Sequence, residues 1–69
     1  MKTFNVVDRV SNHVTTPIKA ANGKSALNKF RRCLMSTGIY SLEKSSETGN
    51  WHLISSYGSD FEAIPVKEG

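Results

Sequence analysis

The sequence predicts a small α+β domain: an antiparallel sheet of four to five strands with one helix packed on one face, in the order β-β-α-β-β. Three observations carry that prediction. One stretch has an apolar stripe at helical spacing, bracketed by an N-cap residue and a C-terminal glycine. The segments before and after it alternate apolar and polar residues. Clusters of Ser, Asn, Gly and Asp separate the alternating runs. The 69 residues make one domain, 1–69. A chain this short buries only ~60% of its unfolded surface, so its core is marginal.

Lys2 to Val10 reads as a first strand. Phe4, Val6 and Val10 share one face, with Asp8 the exception there and Val7 opposite. Ser11-Asn12-His13 is turn chemistry. Val14 to Ala20 alternates again, with Val14, Thr16, Ile18 and Ala20 on one side. Pro17 lacks a ladder donor, which assigns this strand to a sheet edge or makes it an irregular lead-in.

The helix is the clearest element. Asn22 serves as N-cap and Gly38 as the residue after the C-cap, bracketing roughly four turns. At 100° per residue, Ala26, Leu27, Phe30, Cys33 and Leu34 fall within about 60° of Phe30. Lys24, Asn28, Arg31, Arg32 and Met35 occupy the opposite side, with Lys29 near the boundary. Ile39-Tyr40-Ser41-Leu42 then begins a third strand, and residues 45–50 form a polar loop. Trp51 to Tyr57 is a fourth strand, with Trp51, Leu53, Ser55 and Tyr57 on one face and His52, Ile54 and Ser56 on the other. Gly58-Ser59-Asp60 turns the chain into a short fifth strand, Phe61 to Val66, which Pro65 assigns to an edge or an irregular tail.

Charge is segregated along the chain. Seven cations face one acid in residues 1–32, a net of +6, whereas two cations face five acids in residues 33–69, a net of −3. Lys24, Lys29, Arg31 and Arg32 concentrate the excess on the helix. Like charges held together raise the local potential, so the face is suited to an anionic partner.

Several classes are disfavoured. A core this small rarely encloses the ~300 Å3 that a small-molecule or cofactor site usually needs, so no cofactor is expected. One cysteine, Cys33, allows no internal disulfide and points to a reducing, cytoplasmic setting. No apolar run approaches the ~18 residues of a membrane span, and the N-terminus opens no signal-type stretch. His13 and His52 have no close ligand spacing, so no metal site is expected.

Three catalytic or ligand motifs are incomplete. Asn22-Gly23-Lys24-Ser25 ends like a phosphate loop, but Ile18 stands where the first glycine belongs. His52, Ser56 and Asp60 hold the residue types of a hydrolase triad at a spacing that would suit a helix, yet they fall in strand and turn. Cys33 on the apolar stripe reads as a small buried hydrophobe. No enzyme is expected.

The basic helix face leaves three readings open: a solvated surface, contact with an acidic patch on a partner protein aided by Met35, or neutralisation of nucleic-acid phosphates. Trp51 and Tyr57 stand either in the core or in an exposed patch, depending on which sheet face the helix covers. Edge strands add the option of a homodimer.

The Phe4-x-Val6 strand, the Ile18-Lys19-Ala20 segment, the Ala26-Leu27-x-x-Phe30 helix and the Trp51 strand together resemble small accessory proteins of bacteriophages and mobile elements. The resemblance spans most of the chain and implies a compact, non-enzymatic protein that occupies a surface on a host or phage macromolecule. The expectation is therefore a non-catalytic binding protein that modulates or inhibits a partner protein through Lys24, Lys29, Arg31, Arg32 and Met35. The alternative is a nucleic-acid-binding module using the same helix cations.

Overall fold

The computed structural model describes residues 1–15, 17–34 and 39–66. Seven elements follow in order: β1 (Lys2–Asp8), β2 (His13–Val14), β3 (Ile18–Ala20), α1 (Gly23–Cys33), β4 (Tyr40–Lys44), β5 (Trp51–Ser55) and β6 (Asp60–Pro65). The strands form one antiparallel sheet in the order β2-β1-β6-β5-β4, with β3 also pairing with β1. The helix lies across one face of this sheet, touching β1, β3, β5 and β6. The predicted α+β class holds, with six strands where four to five were expected.

The last strand is the main correction to the topology. Pro65 predicted an edge, but β6 lies between β1 and β5. The proline is tolerated because it is the final residue of the strand, opposite Phe4, and Val66 takes over the ladder by donating to the Thr3 carbonyl at 2.9 Å.

The second predicted strand is two. Val14 faces Val7, and Ile18 faces Phe4, so β1 advances three residues while the opposing chain advances four. One extra residue in the segment around Thr15 and Pro17 makes this a bulge, and it moves the later side chains to the opposite face. Val14 is thus exposed, while Ile18 packs on the core and Ala20 is buried in it. Thr15 anchors the bulge, its N–H donating to the Val6 carbonyl at 2.9 Å and its hydroxyl to the same oxygen at 3.1 Å.

The first strand ends at Asp8, and Val10 is exposed in the turn that follows. Asp8 Oδ1 accepts from the Val10 N–H at 3.0 Å, and Asn12 takes a positive φ of 59°. That φ is one of the few places where asparagine is favoured over most residues. β5 stops at Ser55, and its hydroxyl oxygen accepts from the N–H groups of Tyr57 and Ser59, closing the turn to β6.

The helix starts as predicted, with the Asn22 side chain accepting from the Ser25 N–H at 2.8 Å. It ends at Cys33, about three turns and not four, with Leu34 as C-cap in extended backbone. Gly38 and Met35 lie outside the described residues. Ala26 and Leu27 are fully buried, and Phe30 and Leu34 pack partly buried against the core. Cys33 is exposed, not buried: it lies at the margin of the stripe, about 60° to one side of Phe30, while Leu27 and Leu34 on the other side make the contact.

The core consists of Phe4, Val6, Ala20, Ala26, Leu27, Leu53 and Ala63. Its alanines let helix and sheet approach closely, and Gly23 extends this at the helix start. A Cβ there would meet Trp51 Cδ1 at 3.4 Å and Ala63 Cβ at 3.5 Å. Phe30 meets Phe61 with ring centroids 4.9 Å apart.

Candidate functional site

Strand register sorts the charged residues between the two sheet faces. Lys2 faces Ala20, and Lys44 faces Trp51, so both lysines emerge on the helix side. Lys24, Arg31 and Arg32 add to that side from the helix itself. On the opposite face, His52 is paired with Glu62, Ile54 with Asp60, and Glu43 with His52. Cations therefore dominate one face and carboxylates the other.

The cations predicted as one site are arranged as three groups. Lys24 places its Nζ 5.5 Å from the centre of the Trp51 ring, a cation–π distance. The same Trp51 lines a cleft of about 220 Å3 together with Lys2, Lys44, Asn22 and Asn50. Lys29 reaches sideways, its ammonium donating to the Lys19 carbonyl at 2.6 Å, so it tethers the helix to β3. Arg31 and Arg32 flank a shallow depression with Asn28 on the outer helix surface. Met35 lies outside the described residues.

No ion pair ties down any of the helix cations among the described residues. Their only electrostatic complement within the helix is its C-terminus, where Arg31 and Arg32 sit in the last turn. The first turn holds no acid.

Trp51 and Tyr57 part company. Trp51 is half-buried under the helix start, whereas Tyr57 leaves β5 in the turn and is 76% exposed. Ile39, 78% exposed, lies at the same end of the β4–β5 pair, since the Ser56 N–H donates to its carbonyl at 2.9 Å. Ile39 and Tyr57 thus leave two exposed apolar side chains at that end of the sheet.

The opposite face holds a polar network that residue spacing did not reveal. Glu62 is only 4% exposed. Its Oε1 lies 3.3 Å from Arg9 Nη1, and its Oε2 accepts from the Asn50 side-chain amide at 2.9 Å. His52 Nδ1 is 2.8 Å from Asp60 Oδ1, and its Nε2 is 3.9 Å from Glu62 Oε2. An ionised carboxylate only accepts, so Nδ1 carries the hydrogen toward Asp60. The β5–β6 hairpin thus unites the His52 and Asp60 of the incomplete triad. Ser56 lies in the turn, and the residue next to His52 Nε2 is a carboxylate, not a hydroxyl nucleophile. The alternation of His52, Ile54 with Asp60, Glu62 across one hairpin was the available signal.

The Asp8 carboxyl is held below the ordinary aspartate range. The Val10 N–H donating to its carboxylate holds the pKa below the ordinary aspartate value, with the Ser11 side chain and N–H and the His13 charge adding to the effect. No group of three or more His, Cys, Asp or Glu residues with metal-binding geometry occurs among the described residues. No helix among the described residues is long and apolar enough to cross a membrane.

Comparison with protein-family models, curated proteins and solved structures finds no match to this chain.

Proposed function

We propose that this chain is a non-catalytic binding protein that engages an acidic surface on a partner protein through the helix side of its sheet. One observation carries the reading: among the described residues the cations of the helix make no ion pair, while the carboxylates of Asp60 and Glu62 on the far face are already engaged. An arginine pair with no ion-pair partner among the described residues gains most from an anionic partner.

Protein contact is favoured over a purely ionic target by Ile39 and Tyr57. Tyrosine and arginine are enriched at the energetic centres of protein interfaces, and an exposed isoleucine beside a tyrosine adds apolar area to bury. The exposed thiol of Cys33 supports a reducing, cytoplasmic setting. A modulator or inhibitor of the bacteriophage or mobile-element accessory type fits such a protein.

A nucleic-acid reading has its own observation in the Trp51 cleft, where Lys2, Lys24 and Lys44 surround an aromatic ring. Lys24 already lies over that ring and Gly23 backs it, which leaves little of it for a stacked base.

Titration with poly-glutamate and with labelled DNA and RNA at two salt concentrations separates the readings. The proposal expects binding of the acidic peptide that is lost in the Arg31→Glu/Arg32→Glu variant, with weak binding of nucleic acid. Tight DNA or RNA binding that falls steeply with salt would replace it with the nucleic-acid reading. Indifference of every ligand to the charge reversal would leave the basic surface without a role.

A further inference from the structure

The two edges of the sheet differ in what they offer another chain. One is made of β2 and β3, two short strands divided by the bulge and by Pro17. The other is β4, five continuous residues with no bulge. Ser56 donates to the Ile39 carbonyl, and Ser45 donates to the Asn50 carbonyl. This alternation turns the N–H and C=O groups of Ser41 and Glu43 toward β5 and those of Tyr40, Leu42 and Lys44 toward the free edge. Among the described residues none pairs with that edge. The helix rests mainly on β1, β3, β5 and β6.

We propose that β4 pairs antiparallel with β4 of a second copy, with Leu42 on the two-fold axis. In that register Tyr40 faces Lys44 of the second copy, and Leu42 faces Leu42 of the second copy. Each of these positions directs its backbone groups outward, so every donor at the edge meets an acceptor. The side chains agree. Lys44 meets a tyrosine ring, half-buried Leu42 meets its equivalent, and Glu43 meets Ser41, with no like charges opposed.

Neighbouring registers do not fit. Moving the axis to Glu43 sets two carboxylates against each other. Moving it to Ser41 carries Lys44 past the start of β4 in the second copy. The axis stands perpendicular to the sheet, so both helices lie on the same side and their basic surfaces point the same way. The inference stands apart from the proposed function, because it holds whatever those surfaces bind.

Cross-linking reads the register directly. A hydrogen-bonded antiparallel pair holds its Cα atoms about 5.5 Å apart, within disulfide range. In a Cys33→Ser background, Leu42→Cys is expected to form a covalent dimer on mild oxidation, and Ser41→Cys is not. A mixture of Ser41→Cys and Glu43→Cys chains is expected to cross-link with each other. Sedimentation across a wide concentration series provides a second measure at an exposed site that leaves the fold intact. Ser41→Glu opposes Glu43 twice per dimer and is expected to weaken association about tenfold, while Ser41→Lys strengthens it. A monomer at every concentration, or association indifferent to both Ser41 variants, would overturn the proposal. So would cross-linking of Ser41→Cys to itself in preference to Leu42→Cys.

Discussion

The two faces of this sheet reach low solvent exposure by opposite means. Under the helix, Phe4, Val6, Leu27, Leu53 and Ala63 are buried as hydrocarbon, and their stabilisation scales with the apolar area removed from water. On the far face no helix covers the sheet, yet Glu62 is as buried as Phe4. It is hidden by the chains that bind it: Arg9 from the turn after β1, Asn50 from the β4–β5 loop, and His52 from β5. A small domain with one helix cannot cover both sides with apolar residues. Here the second side is closed by a charged group with a donor on each oxygen. The contrast teaches that burial has different failure modes on the two faces, and substitutions should expose them.

The largest effect belongs to the helix side. Leu27→Ala is expected to cost about 2–5 kcal/mol, comparable with the whole stability of a domain this size, and to abolish a cooperative thermal transition. Phe30→Ala removes a ring that is only half-buried against Phe61 and should cost less, about 1–3 kcal/mol by denaturant titration. Equal losses at the two positions would mean that the helix packs less asymmetrically than its burial shows.

The far face should invert the usual ranking of exposed and buried substitutions. Arg9 has a side chain 55% exposed, yet Arg9→Ala leaves the buried Glu62 carboxylate short of a cation and is expected to cost about 1–2 kcal/mol. Glu62→Gln removes the buried charge itself while keeping an acceptor for Asn50, and should cost under about 1 kcal/mol. Chemical denaturation of the two variants side by side tests the order. A harmless Arg9→Ala would show that solvent already satisfies Glu62.

Between these lies the helix start. Asn22→Ala removes the acceptor for the Ser25 N–H and should cost about 1 kcal/mol in denaturant titration. The smallest effect is at the turn after β1. The folded-state pKa of Asp8 is depressed, so its contribution is present above the ordinary aspartate value and lost as pH falls through the lower folded value. Acid titration followed by NMR should move the Val10 amide resonance in that range, and Asp8→Asn should flatten the response.

The helix side was the legible side. The stripe of Ala26, Leu27 and Phe30, the Asn22 cap and the alternation of β1 and β5 are local patterns, and each specifies its own element. What the chain concealed was non-local. The central position of β6 depends on pairing with β1 across most of the sequence, and Pro65 locally argues against it. The bulge between Val14 and Ile18 was hidden because unbroken alternation looks the same as two strands shifted by one residue. Cys33 was misplaced because it sits at the margin of the apolar stripe, and periodicity alone does not show that the sheet meets the side carrying Leu27 and Leu34. Of the candidate cations, Arg31 and Arg32 share a surface as expected, whereas the routes of Lys24 to Trp51 and of Lys29 to the Lys19 carbonyl depend on the fold.

The interrupted edge bears on how far any assembly of this protein extends. Sheet-to-sheet addition propagates only when each new subunit presents a fresh template for the next. β4 is such a template, but the chain at the opposite margin changes register between Val14 and Ile18 and carries a proline that has no hydrogen to donate. An incoming strand would find two or three matched residues there and then lose step. In the proposed β4 pairing, growth would therefore end with the second molecule, because the irregularity around Pro17 offers no matching edge for a third.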